Sequence, residues 1–130
     1  MAKKKMTCRV EVKRVYDERA GADGRRILVD RIWPRGLSKE DLHHDAWLKN
    51  LAPSTGLRKW FGHDPARWDE FKKRFFTELD DRSGAVEEIL ALCRESRVTL
   101  LYGAKDRDHN NAVALKVYLE QRGGRPQARG

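Results

Sequence analysis

From Cys8 to Val15 the chain alternates, with Cys8, Val10 and Val12 on one side and Arg9, Glu11 and Lys13 on the other. That period of two predicts a half-buried strand. Asp17 to Gly24 is rich in turn formers and predicts a loop. Residues Arg26-Ile27-Leu28-Val29-Asp30-Arg31-Ile32 have a continuous, β-branched apolar centre, which predicts a strand buried on both faces of a helix-covered sheet. Trp33-Pro34-Arg35-Gly36 ends it, because Pro34 lacks a ladder donor and Gly36 permits a sharp turn. Ser38 and Asp41 have the spacing of a capping box, so a short helical turn is expected there. The stretch from there to Leu51 fits helix and extended chain equally. Ala52-Pro53-Ser54-Thr55 reads as a stop followed by a new N-cap, with a short helix over Thr55 to Phe61.

The next helix is predicted to open at Asp64-Pro65, with Asp64 as cap and Pro65 at the first helical position. Trp68, Phe71, Phe75 and Leu79 recur at steps of three and four and line one face, an aromatic stripe read as core. A third helix is expected over about Ala85 to Glu95, burying Val86, Ile89, Leu90 and Cys93. Val98-Thr99-Leu100-Leu101-Tyr102 predicts a second fully buried strand, Gly103 to His109 a polar loop, and Asn110 or Asn111 the cap of a last helix stopped by Gly123-Gly124. The alternation of buried strand, polar loop and helix is that of an α/β fold: a single compact three-layer domain with a small, mostly parallel sheet and flanking helices. Ligands of such sheets gather beyond the carboxyl ends of the strands. The two loops leaving those ends, Arg31 to Gly36 and Gly103 to Asn111, are therefore the places to look for chemistry. Whether they meet depends on whether their strands are neighbours.

Composition narrows the class. The 130 residues are 39% hydrophobic and 37% charged, which suits one globular domain able to fold without disulfides or metal. No window approaches the roughly 18 apolar residues of a membrane span, and no apolar stretch of about 7–15 residues follows the first lysines as a secretory signal requires. The net charge of +8 looks like a nucleic-acid signal until it is mapped. Lys3, Lys4 and Lys5 lie at one end and Arg122, Arg125 and Arg129 at the other; without these six, 22 basic residues face 20 acidic ones, so the body over 6–121 is only +2. Residues 1–5 and 122–130 are read as basic disordered tails, which can touch phosphate backbones without reading sequence. Cys8 and Cys93 are far apart and form no CxxC. They read as reduced thiols in a cytoplasmic protein.

In the first strand-end loop, Arg31 and Arg35 are placed to clamp a phosphate or carboxylate through bidentate hydrogen bonds. The competing reading pairs them with internal carboxylates such as Asp41 or Asp45. The second loop sets Lys105, His109, Asn110 and Asn111 directly before a helix, where unpaired N–H groups attract anions and a histidine transfers protons near neutral pH. Plain helix capping explains Asn110 and Asn111 equally well. Ser54 and Thr55 can donate hydroxyls to an anion or serve as a cap. The loops lack the GxxxxGKS and GxGxxG spacings, which argues against a nucleoside triphosphatase or a nicotinamide enzyme. There is no GxSxG elbow for Ser38 or Ser54. His43-His44-Asp45 are adjacent and unaccompanied by HExxH or CxxC, so no metal or other cofactor is expected.

The runs Arg26 to Gly36 (RILVDRIWPRG), Leu51-Ala52-Pro53-Ser54, Leu57 to Phe61, and Val98 to Tyr102 with Lys105-Asp106 and His109-Asn110-Asn111-Ala112 resemble the YeaO-like family, domain of unknown function 488. The resemblance spans roughly Arg9 to Leu119. It implies a compact α/β fold from a bacterial or archaeal cytoplasm and carries no established activity. Its motif positions include Asp30, Arg31, Trp33, Pro34, Arg35, Ser54, Lys105 and Asn110. Residues and resemblance together lead to an anion-binding pocket at the strand ends, taking a phosphate-bearing small molecule or nucleotide. Arg31, Arg35, Ser54, Lys105 and Asn110 would bind it, and Asp30 and His109 would be the proton-transfer candidates if it is acted upon. The alternative is a nucleic-acid or protein interaction module using the basic tails and surface arginines. Neither reading sets the oligomeric state or involves a membrane.

Overall fold

The computed structural model describes residues 10–123. Cys8, the lysine-rich start and residues 124–130 lie outside them. The strands are β1 (Val10–Arg14), β2 (Arg25–Leu28), β3 (Ala46–Trp47) and β4 (Val98–Tyr102); the helices are α1 (Lys39–Leu42), α2 (Thr55–Phe61), α3 (Trp68–Asp80), α4 (Ser83–Glu95) and α5 (Asn111–Gly123). All four strands run parallel in the order β1-β4-β2-β3. Ile27 lies opposite Leu100 and Leu28 opposite Leu101, so the two strands with the most continuous apolar runs are central neighbours.

Both faces of the sheet are covered, and strand alternation divides the core accordingly. Val10, Ile27, Val98, Leu100 and Tyr102 pack on one side with Phe71, Phe75 and Leu79 of α3, Val86, Ile89 and Leu90 of α4, and Leu115 and Leu119 of α5. The opposite face is thinner: Val15, Leu28 and Leu101 meet Leu42 of α1, with Trp33, Leu37 and Trp47 over them. This is the three-layer α/β arrangement expected, with a sheet that is parallel throughout. No helix among the described residues is long and apolar enough to cross a membrane.

Local signals act as anticipated in most places. Ser38 Oγ accepts from the Asp41 amide at 3.0 Å and starts α1. Ser54 Oγ accepts from the Leu57 amide at 3.1 Å and starts α2. Pro65 follows its cap Asp64, but the first turn it opens is a 3-10 turn over Pro65–Arg67, with α3 beginning at Trp68. Asn110, rather than Asn111, caps α5, its Oδ1 accepting from the Val113 amide at 2.9 Å. The ambiguous stretch resolves into the two-residue edge strand β3 and a 3-10 turn over Lys49–Leu51. α5 continues through Gly123, and Arg122 pairs with Asp80, so the first two residues of the expected C-terminal tail are helical.

Two expectations need correction. The strand expected over 26–32 ends at Leu28, with one further ladder bond from the Val29 amide to the Leu101 carbonyl at 3.2 Å. Asp30 and Arg31 therefore belong to a loop rather than to opposite faces of a strand. There is also no free cysteine among the described residues: Cys93, buried on α4, is disulfide-bonded and not the reduced thiol anticipated. The support that reduced thiols lent to a cytoplasmic setting falls with it. One glycine is required by close approach. Gly24 has φ +67°, and a Cβ there would lie 2.3 Å from the Arg97 carbonyl oxygen, which accepts from the Arg25 amide as β2 joins β4.

Candidate functional site

Because β2 and β4 are adjacent and parallel, the loops leaving their carboxyl ends are brought together. Asp30 is the junction. Its Oδ2 accepts from the Gly103 amide at 2.9 Å and its Oδ1 from the Asn111 side-chain amide at 3.1 Å. The same Asn111 Nδ2 donates to the Val29 carbonyl at 3.1 Å, and Trp47 Nε1 donates to the Asp30 carbonyl at 2.7 Å. A side chain at Gly103 would press on this contact, since a Cβ there lies 3.2 Å from Asp30 Oδ2. Burial pushes the Asp30 carboxyl pKa above its usual value; the bonds from Asn111 and Gly103 and the nearby Arg58 charge offset only part of that cost.

Over this junction lies a cavity of about 610 Å³, lined by the loop after β2, by Pro53 and α2, by Phe71 of α3 and by the loop that enters α5. Its volume is in the range of small-molecule sites. Three permanent cations line it, Arg31, Arg58 and Lys59. Arg31 Nε donates to the Pro53 carbonyl at 3.1 Å. Among the described residues, none of the three forms an ion pair with a carboxylate, although the charge of Arg58 is felt by Asp30. The exposed Arg58 and Lys59 are consecutive on α2, and Thr55 stands one turn before Arg58. Two histidines complete the wall. His63 holds a left-handed backbone with φ 57° just after α2. His109 Nδ1 lies 3.0 Å from Asp106 Oδ2. A carboxylate can only accept, so Nδ1 is the donor in this contact. Asp106 is itself held below the usual carboxylate range, chiefly by the Asp108 amide and also by the backbone and ring N–H groups of His109, which outweigh the opposing effect of burial.

A family model described as the "Inactive DUF488-N3 subclade" matches residues 9–129. The chain belongs to the DUF488-N3i family. Among its relatives, the uncharacterized protein Rv3073c of Mycobacterium tuberculosis strain H37Rv is 42% identical over 114 residues, 88% of this chain and 96% of that one. The uncharacterized protein YeaO of Escherichia coli K12 is 39% identical over 110 residues, 85% of this chain and 96% of that one. These likenesses bear out the YeaO-like resemblance. No solved structure matches the chain.

Against this DUF488-N3i cavity, the residues singled out in the sequence divide. Asp30, Arg31, His109 and Asn110 line it. Asn110 is almost fully buried, and both functions of its amide are occupied: Oδ1 caps α5 and Nδ2 donates to the Asp106 carbonyl at 2.9 Å. Arg35, Lys105 and Ser54 are not part of the lining. Arg35 is exposed on the far side of the Trp33-Pro34 turn, where its carbonyl accepts from Tyr16 Oη at 2.8 Å. Lys105 is exposed, and the cavity is lined instead by its neighbour Ala104. Ser54 is bound to Glu78, its Oγ donating to Oε2 at 2.6 Å and its amide to Oε1 at 2.8 Å, which leaves it to cap α2. Arg31 and Arg35 pair with neither Asp41 nor Asp45; Asp45 instead accepts from the Arg26 amide at 2.8 Å. Arg58, Lys59 and His63 were not anticipated. They sit on and after a short helix whose amphipathic pattern identifies Leu57 and Phe61 as buried but carries no sign of what the opposite face looks onto.

Proposed function

We propose that this DUF488-N3i protein binds a phosphate-bearing small molecule, nucleotides included, in the cavity at the carboxyl ends of β2 and β4, and holds it without chemical turnover. The observation that carries the reading is the set of three cations, Arg31, Arg58 and Lys59, lining one cavity without carboxylate partners among the described residues. Guanidinium groups match phosphate oxygens bidentately, and an ammonium adds a point charge. The start of α5, with Asn110 and Asn111 in the lining, adds the positive end of a helix dipole.

Binding without turnover is favoured by the state of the two proton-transfer candidates. Both oxygens of Asp30 already accept hydrogen bonds that tie the loops together, so moving a proton there disturbs the fold. His109 lines the cavity, but among the described residues the lining holds no serine or cysteine for it to activate, and Thr55 carries its one hydroxyl. The description of the family as an inactive subclade agrees with a binding role. The alternative, nucleic-acid or protein binding through residues 1–5 and 122–130, falls mainly on residues outside those described.

A thermal-shift screen of the full chain at fixed ionic strength, against phosphate, sulfate, mononucleotides, sugar phosphates and a short oligonucleotide, tests the reading. A ligand at about 100 times its dissociation constant stabilises the native state by roughly 2.7 kcal/mol. A shift with a phosphorylated small molecule that disappears in Arg58→Gln is the expected result. A shift with the oligonucleotide alone, or none at all, overturns it.

A further inference from the structure

The cavity presents two kinds of surface, separated along α2. Arg31 is anchored on the Pro53 carbonyl, just before the helix begins. Around the helix's other end the lining is made of rings: Phe61, His63, Phe71 and His109. These rings form one connected cluster. Phe61 stacks on Phe71 with centroids 4.4 Å apart and lies 6.4 Å from His63. Trp68 joins Phe71 at 5.7 Å to His109 at 5.3 Å. A helix of seven residues is about 10 Å long, so the Pro53 anchor of Arg31 and the ring of Phe61 lie at opposite ends of α2, with Arg58 and Lys59 between those ends along the helix. A bare phosphate would occupy only a small part of a cavity of about 610 Å³ and leave the ring wall uncovered. Ile32, also in the lining, is 61% exposed and is the most exposed large apolar side chain among the described residues.

We infer that the ligand is a free nucleoside monophosphate, its phosphate held by Arg31, Arg58 and Lys59 and its base seated against the ring cluster of Phe61, His63 and His109. This deepens the phosphate-binding reading above and rests on it. A flat base matches the ring wall because aromatic stacking accepts any base through its π-face. His63 is exposed, so its ring is available to a ligand and expendable to the core.

The test is calorimetric titration of the full chain with AMP, adenosine, ribose 5-phosphate and a short 5′-phosphorylated oligonucleotide, repeated on His63→Asn. Asparagine tolerates the left-handed backbone of residue 63, so this variant removes the ring while keeping the turn. AMP is expected to bind about tenfold or more tightly than ribose 5-phosphate, and His63→Asn to shrink that advantage while leaving ribose 5-phosphate affinity unchanged. Equal affinity for AMP and ribose 5-phosphate, or an unchanged advantage in His63→Asn, would overturn the ring-seat assignment and leave phosphate binding standing. Adenosine binding as tightly as AMP, or none of the compounds binding, would instead remove the phosphate reading itself. An oligonucleotide that outcompetes AMP would overturn the assignment to a free mononucleotide.

Discussion

Asp30 and Asn111, 81 positions apart, meet through a 3.1 Å hydrogen bond that fastens the end of β2 to the start of α5. With the Gly103 amide on its other oxygen, Asp30 closes the floor of the cavity. Asp30→Ala leaves the Gly103 amide without its partner and is expected to cost about 1–3 kcal/mol in urea denaturation. The pH dependence has a definite sign. Burial raises the folded-state pKa of Asp30 above 3.8, so the folded state holds its proton more tightly than the unfolded chain. This group's contribution is most favourable below pH 3.8 and declines as pH rises through the raised value. The stability advantage of the wild type over Asp30→Asn should therefore narrow on going from about pH 4 toward neutrality; an advantage that widens contradicts the burial argument.

Asp23 titrates in the opposite sense. It lies between Lys13 at 2.8 Å and Arg26 at 2.5 Å, with side chains of Asp23 and Arg26 only 8% and 4% exposed. Burial alone would raise its pKa, but the bonds from Lys13, the Ala20 amide and Arg26 outweigh it and hold it below 3.8. Removing one member of a buried pair strands the other charge, so Asp23→Ala should cost about 3–5 kcal/mol. That penalty is fully present above pH 3.8 and should shrink as pH falls below it, as measured by urea unfolding at pH 3 and pH 6. A constant penalty would mean that the carboxylate charge contributes nothing.

Ser54→Ala distinguishes capping from ligand contact. Ser54 Oγ accepts from the Leu57 amide and donates to Glu78, so the variant should lose about 1 kcal/mol of stability. Its affinity for a phosphorylated ligand, measured by calorimetry at a temperature where it is fully folded, should match the wild type. A loss of affinity without loss of stability would return Ser54 to the binding site.

Arg58→Gln should do the reverse. Its side chain is exposed and makes no ion pair among the described residues, so unfolding should be nearly unchanged. A charge-assisted hydrogen bond is worth about 1.5–3 kcal/mol, which corresponds to a loss of roughly tenfold or more in phosphate affinity. Undiminished binding would move the anion away from α2.

Periodicity and capping are local properties, and they were legible along the chain. The alternation in β1, the three-and-four spacing of Trp68, Phe71, Phe75 and Leu79, and the hydroxyls of Ser38 and Ser54 all act within a few residues of where they stand. The place of Asp30 and Arg31 just beyond a strand end was also visible, because a polar pair closing a long apolar run marks one. What local pattern does not contain is strand order. Only the parallel neighbourhood of β2 and β4 brings Asp30 to Gly103 and Asn111 and sets the cavity over them. The same packing turns Arg35 and Lys105 outward, spends Ser54 on Glu78, and rotates Arg58 and Lys59 into the lining. The sequence by itself determined the elements, their apolar faces and the α/β class, because those follow from short-range sterics and the period of burial. Which charges share one cavity was decided by tertiary structure, because that depends on how distant segments pack and on which cations their neighbours leave unpaired.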